Sequence, residues 1–444
     1  MSVMQIIAVA ITVGLNGLDG FDVLSISFAG PGILKEWGLD RAALGFVLSM
    51  ELWGMALGSL VLGPLADKIG RRPLTLGCLV MMALGMFMAT SVHNIYELSA
   101  WRVITGFGIG GLLAAINAIA AEFSNLKRRH LCVAIMAIGY PIGAVLGGLV
   151  VAELLKTHTW RSVFYFGAVC TVVFIPLVLA LVPESVQWLT RKQPAGALER
   201  INRTLARMGH AAISVLPTIS EAVRKRSASD LFAPGLIATT LLVAIAYFFH
   251  VTTFYFVLKW TPNIVAGMGF EPSSAAKVLV WANVGGALGG AVLGLLTLRF
   301  NVKMLTIAAM VISSIAVIIF GRTPPDLQKM SMYVAISGFF TNGAIVGMYA
   351  IFAQAFPTHV RAGGTGFGIG VGRGGSALAP IIAGFLFKAN QPLPVVASVM
   401  AMGSLLAAIV VSFIKLRVDD GSTETVDEGG EQQATSLRGA SATP

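Results

Sequence analysis

Twelve runs of mostly apolar residues divide this chain, each close to the roughly 20 residues a helix needs to cross a bilayer. They lie near 3–30, 42–66, 73–92, 96–122, 131–153 and 161–183, then 233–258, 273–298, 303–321, 330–355, 363–387 and 393–416. A soluble core has no use for so much apolar surface. Hydrophobic residues make up 56% and charged residues 12%, against roughly 25% charged in soluble domains. In lipid, every backbone N–H and C=O must be paired within the chain, so such spans become helices. The expected fold class is all-α and integral to the membrane, with fifty glycines suited to close helix approach. Val3 to Pro31 is too long for a signal-peptide core and lacks a small-residue cleavage site.

The spans fall into two sets of six. The expected organisation is a first six-helix half over 1–183, a polar cytoplasmic connection over 184–230, a second half over 231–416 and a disordered cytoplasmic tail over 417–444. Twelve spans place both termini on one side. Twenty Lys and Arg lie on that side, eight of them in the central connection, against nine on the other. By the positive-inside rule the termini are expected in the cytoplasm of an inner (plasma) membrane. The formal net charge of +10 therefore reflects membrane orientation rather than nucleic-acid binding. Three cysteines, Cys78, Cys132 and Cys170, sit in apolar segments with no metal-ligand spacing and an odd count. A weak repeat at an offset of 231–232 residues aligns Gly63–Arg72 with Gly294–Lys303, and Glu122 and Arg129 with Gln354 and Arg361. Parallel duplication of this kind places a binding site between the halves near the midplane.

Ionisable side chains inside spans cost about 2.5–3.5 kcal/mol each on translocon scales, so they mark partners, cavities or function. Asp19 and Asp22 lie three residues apart in the first span, on neighbouring positions of one face. Two like carboxylates repel in a low dielectric, which favours a proton on one of them near neutral pH. They are the proton-coupling candidates, with Glu51 of the second span a possible third. The bland alternative is helix glue: an Asp bonded to Arg102, and Glu51 bonded to a neighbouring helix. At 1.5 Å per residue, Arg102 lies about 9 Å into its span and Asp19 about 24 Å into its own, so an Asp–Arg contact is feasible. Arg373 lies about 17 Å into the eleventh span, among the small residues of Gly370-Val-Gly-Arg-Gly-Gly-Ser. A guanidinium holds carboxylates bidentately, so Arg373 is the candidate for a substrate carboxylate, the alternative being a fixed salt bridge between halves. His250 and Tyr255 stand in an aromatic cluster suited to a planar ring, although such clusters are more often packing. Asn117, Tyr140, Asn283 and Asn342 are further polar candidates for substrate contact.

Gly63-Pro-Leu-Ala-Asp-Lys-Ile-Gly-Arg-Arg resembles the signature loop of the major facilitator superfamily. Arg102-Val-Ile-Thr-Gly-Phe-Gly-Ile-Gly-Gly resembles its fourth-span signature, and Gly139-Tyr-Pro-Ile-Gly its fifth-span glycine motif. Glu122 with Arg129, and Pro183-Glu184-Ser185, resemble the cytoplasmic charge network of sugar-porter-like members. The resemblance implies twelve helices in two pseudo-symmetric halves. It also implies a gating network of Asp67, Arg71, Arg102, Glu122, Arg129, Glu184 and Arg361. Within that superfamily, Leu18-Asp-Gly-Phe-Asp22 resembles the first-helix signature of the aromatic acid:proton symporters, and Gly372-Arg373-Gly-Gly-Ser the eleventh-helix arginine of organic anion transporters. The second-half loop lacks the acid (Leu298), and Glu51 is not expected of that family.

The function so implied is proton-coupled import of small aromatic carboxylates by alternating access. The proton is the coupling ion, no other cofactor is required, and a monomer in the bilayer is the expected unit. The alternatives are a proton-coupled exporter of organic anions or drugs, and a transporter-like sensor without turnover. A membrane enzyme is disfavoured, because the six histidines are scattered and no HExxH or GxSxG pattern occurs.

Overall fold

The computed structural model describes residues 1–216, 231–356 and 360–414, with the side chains of residues 126, 130, 361 and 362 set aside. The tail read over 417–444, and Arg224, Lys225 and Arg226 of the central connection, lie outside the described residues. Twelve helices are long and apolar enough to cross a membrane. The first half contains α1 (Val3–Trp37), α2 (Arg41–Ile69), α3 (Arg71–Ala89), α4 (Ile95–Glu122), α5 (Arg129–Leu154) and α6 (Arg161–Leu181). Two short helices follow, α7 (Val186–Lys192) and α8 (Ala197–Arg207). The second half contains α9 (Ile237–Gly267), α10 (Pro272–Leu296), α11 (Val302–Arg322), α12 (Leu327–Ala355), α13 (Arg361–Lys388) and α14 (Leu393–Phe413).

Polar side chains at the ends start the helices. Ser2 and Gln5 form a capping box on α1, Asp40 accepts from the Ala43 N–H at 2.7 Å, and Asn94 accepts from Tyr96 and Glu97. Two spans run further than the expected ends at 30 and 258. Helix α1 continues through Pro31 to Trp37, and α9 runs past Lys259 and through Pro262 to Gly267. Neighbouring helices and local adjustments let a membrane helix tolerate proline. Lys259 is therefore inside a span, not in a loop beyond one. The central connection is likewise more than a loop. Helix α8 buries Ala197, Ile201 and Thr204 along one side, at i, i+4 and i+7.

Within the first half α2 packs on α4 and α1 on α5; within the second α10 packs on α12 and α9 on α13. The halves meet where α2 lies against α13, α5 against α10 and α1 against α9. Helix α6 faces outward with Tyr165, Val172 and Val173 more than half exposed, an apolar surface that suits lipid.

Candidate functional site

Close backbone approach sets the site's frame. In the Leu18–Asp22 motif, a Cβ on Gly20 would run into the Tyr140 carbonyl, so α1 and α5 touch where both carry polar groups. A Cβ on Gly106 would likewise strike the Glu51 carbonyl, bringing α4 against α2 beside Arg102 and Glu51. Asn16 fastens α1 to α5 by donating to the Met136 carbonyl at 2.9 Å and the Ala137 carbonyl at 3.3 Å.

Between the halves lies a cavity of about 830 Å³, within the range of sites that enclose small ligands. Asp19, Tyr140, Tyr255, Asn117, Asn342 and Arg373 line it, as does Asn283. Neither oxygen of the Asp19 carboxylate has a hydrogen-bond partner, although the residue is 1% exposed. Arg373 forms no ion pair among the described residues; only its backbone carbonyl is engaged, by Ser376. Tyr247 and Tyr349 also line the cavity, their hydroxyls 3.1 Å apart. The asparagines spend their amide N–H groups on backbone: Asn342 on Gly286, and Asn117 and Asn283 on their own helices. Their carbonyl oxygens stay unbonded beside the space.

Two expectations about this cavity are corrected. His250 does not line it. Its Nδ1 lies 3.0 Å from the Ser404 Oγ and its Nε2 2.8 Å from the Thr341 carbonyl, so a fully buried imidazole has both nitrogens satisfied between α12 and α14. Nor do the two aspartates share one wet face. Asp22 is fully buried away from the cavity, its carboxylate unpartnered and directed toward Gly167 of α6. Three residues of helix turn a side chain by about 60° from its neighbour, enough to separate a cavity wall from a packed interface.

A charged cluster lies beyond the cavity on the side away from α7 and α8. Glu51 pairs with Arg102 of its own half through one carboxylate oxygen and with Lys259 of the other half, at 3.2 Å, through the second. Lys259 also donates to the Val23 carbonyl, and Arg102 to the Asp22 carbonyl at 3.0 Å. Arg102 thus contacts an Asp backbone rather than an Asp side chain, and Glu51, a candidate for proton coupling, is instead bonded to two neighbouring helices, as the alternative reading had it. Lys259 is the residue that sequence reasoning missed. A lysine after Phe254-Tyr-Phe-Val-Leu reads as the end of a span, and only the continuation of α9 by about two turns, to Gly267, reveals it as interior.

The opposite, α7–α8 side carries the signature loop. Arg71 binds Asp67 at 2.8 Å and approaches Glu122 at 3.5 Å, while Glu184 accepts from the backbone N–H groups of Arg71 at 2.9 Å and Ser185 at 2.8 Å. Burial pushes the Glu184 carboxyl above the usual range against the pull of those donors. Arg129 reaches only the Ala121 carbonyl, at 3.2 Å, rather than a carboxylate, because Glu122 already faces Arg71. Arg102 is remote from this network, and the Arg361 side chain lies outside the described residues.

The two sides differ in one respect. Of the four residues of the loop network, three belong to the first half and Glu184 begins the connection, so none reaches the second half. On the other side, three ion pairs cross between halves: Glu51–Lys259, Asp40–Lys388 at 2.8 Å and Glu153–Lys277 at 3.7 Å. The cavity reaches Asn117, Leu295 and Tyr349 near the α7–α8 side, where Leu295 is 67% exposed. Ion pairs join the halves at one face, and the cavity extends toward the other, the α7–α8 face.

The model of the Major Facilitator Superfamily matches residues 12–321. A gallate transporter of Pseudomonas putida is 29% identical over 396 residues, 88% of each chain. The 4-hydroxybenzoate transporter PcaK of Pseudomonas aeruginosa is 27% identical over 89% of each. The 3-(3-hydroxy-phenyl)propionate transporter of Escherichia coli is 28% identical over 92% of this chain and 94% of its own. The crystal structure of a D-xylose–proton symporter superposes with a TM-score of 0.69, covering 94% of this chain and 99% of that one at 17% identity. The fold is thus shared well beyond detectable sequence likeness, and the resemblance of the first-helix motif to aromatic acid:proton symporters stands. This multi-pass membrane protein is a transporter, not an enzyme, and it belongs to the major facilitator superfamily.

Proposed function

We propose that this protein imports aromatic carboxylates together with protons, by alternating access. The carrying observation is that one cavity between the halves presents an unpaired guanidinium, Arg373, and an unpartnered carboxylate, Asp19, within a ring of four tyrosines. Relatives that transport gallate, 4-hydroxybenzoate and hydroxyphenylpropionate support that substrate class. A carboxylate docks on Arg373 through charge-assisted hydrogen bonds, and its ring packs against Tyr140, Tyr247, Tyr255 and Tyr349. Asp19 carries the exchangeable proton. Asp22, out of the cavity, positions Arg102 through its backbone and carries no substrate.

The cycle proceeds by rocking of the halves. Three cross-half ion pairs hold the present state closed on its outer face, so opening outward requires Lys259, Lys277 and Lys388 to release their partners. The Asp67–Arg71–Glu122–Glu184 cluster and Arg129 then acquire contacts with the second half on the cytoplasmic face, where Arg361 begins α13. One proton moving with one monoanion transfers no net charge, so each pH unit contributes about 1.36 kcal/mol. A second proton adds about 2.3 kcal/mol per 100 mV. The test is uptake of radiolabelled 4-hydroxybenzoate into proteoliposomes under an imposed pH gradient. Accumulation that vanishes when a protonophore collapses the gradient supports import by symport; accumulation driven by the reverse gradient indicates an exporter.

A further inference from the structure

A second cavity, of about 430 Å³, opens where the ends of α3 and α6 meet α7 and α8. Four arginines line it, Arg72, Arg200, Arg203 and Arg207, against a single carboxylate, Glu184. One oxygen of that carboxylate, Oε1, already accepts from the backbone N–H groups of Arg71, Arg72 and Ser185. Arg203 is held by Glu199 at 2.7 Å on the exposed side of α8. Arg200 and Arg207 have no side-chain partner among the described residues, while the Arg72 guanidinium donates to the Leu179 carbonyl and keeps a buried Nε without a partner. The positions follow from helix geometry. Residues 200, 203 and 207 recur at i, i+3 and i+7, so these lining residues share one side of α8, next to the side that packs on the protein.

The surroundings identify the occupant. Leu179 lines the same cavity and is itself 49% exposed, at the end of the apolar face of α6 that looks outward. Val80 and Leu84 continue an exposed apolar face along α3. A free anion needs only the arginines. A molecule with a negatively charged head and apolar tails uses both the arginines and the adjoining apolar faces. Basic pockets between membrane helices at the cytoplasmic interface are suited to acidic headgroups, and each nearby Lys or Arg contributes about 1 kcal/mol of attraction.

We propose that the pocket between α3, α6, α7 and α8 binds the phosphate of an anionic phospholipid, with the acyl chains lying along α3 and α6. Guanidinium forks match phosphate oxygens bidentately. Because Glu184 joins the pocket to the Arg71 and Arg72 backbone, a bound lipid braces the signature-loop network of the first half.

The experiment uses the full chain in neutral detergent, titrated with palmitoyl-oleoyl phosphatidylglycerol and followed by thermal unfolding and native mass spectrometry. Phosphatidylglycerol should raise the unfolding temperature saturably, with no such effect from phosphatidylcholine or from inorganic phosphate at equal concentration. The double substitution Arg200→Gln/Arg207→Gln should weaken phosphatidylglycerol binding at least tenfold. Arg322→Gln/Lys329→Gln, on the opposite face, should leave it unchanged. Equal loss in both double variants, unaltered binding in the pocket variant, or an equal effect of inorganic phosphate overturns the proposal. Should the pocket variant fail to fold, competition on the wild-type protein decides, since equal retention of phosphatidylcholine and phosphatidylglycerol also overturns it.

Discussion

At the residue scale, the site divides into charges that are paired and charges that are left open. Arg373 is open. Hydrogen bonds to charged groups contribute about 1.5–3 kcal/mol, so Arg373→Ala should weaken carboxylate binding by about tenfold to more than a hundredfold, measured by calorimetry in detergent. Unchanged affinity would place the carboxylate elsewhere. Glu51 is paired twice, and its removal strands two buried cations, Arg102 and Lys259. Breaking a buried pair typically costs about 3–5 kcal/mol. Thermal unfolding should therefore show Glu51→Gln more destabilised than Lys259→Met, in which Glu51 keeps Arg102. The reverse order would mean that Lys259 is the main anchor. The interior acids Asp19, Asp22 and Glu51 and the interior cations Arg102 and Arg373 were all legible in the sequence, because charges in apolar spans stand out. Their partners were not. Which of Asp19 and Asp22 meets the cavity depends on the rotation of α1, fixed by Gly20 against Tyr140 and by Asn16 against α5, and these contacts join residues 120 positions apart. His250 looked like a ligand because its neighbours are aromatic, yet its partners Thr341 and Ser404 lie on helices far along the chain.

At the element scale, small residues decide how closely helices approach. Gly106 meets the Glu51 carbonyl, whereas Gly77 on α3 meets nothing within 4 Å. Overpacking costs about 1–3 kcal/mol. Gly106→Val should lower thermal stability by about that amount, and Gly77→Ala should leave it unchanged or raised, as alanine favours helix. Equal effects at both positions would mean that the α2–α4 contact is not limiting. All twelve spans were readable from apolar runs, with errors confined to ends. The polar connection hid α7 and α8 because seven and eleven residues fall below the length at which apolar periodicity is persuasive. Helices α1 and α9 outrun the apolar runs that mark them, continuing through Pro31 and Pro262, because neighbouring helices and the bilayer enforce backbone pairing.

At the scale of the whole molecule, the halves are fastened on one face and parted on the other. A bifunctional maleimide joining cysteines in Asp40→Cys/Lys388→Cys should hold that face shut. Transport should then fall below a tenth of the uncrosslinked rate, while substrate binding from the α7–α8 face survives. Preserved transport would show that these ends need not separate. The account's central claim is that one cavity binds the anion at Arg373 and the proton at Asp19. Its most direct test compares wild-type protein with Asp19→Asn in proteoliposomes, measuring both pH-gradient-driven accumulation and gradient-independent exchange of labelled 4-hydroxybenzoate. The account predicts that Asp19→Asn keeps exchange and loses uphill accumulation; accumulation in the variant equal to wild type would contradict it.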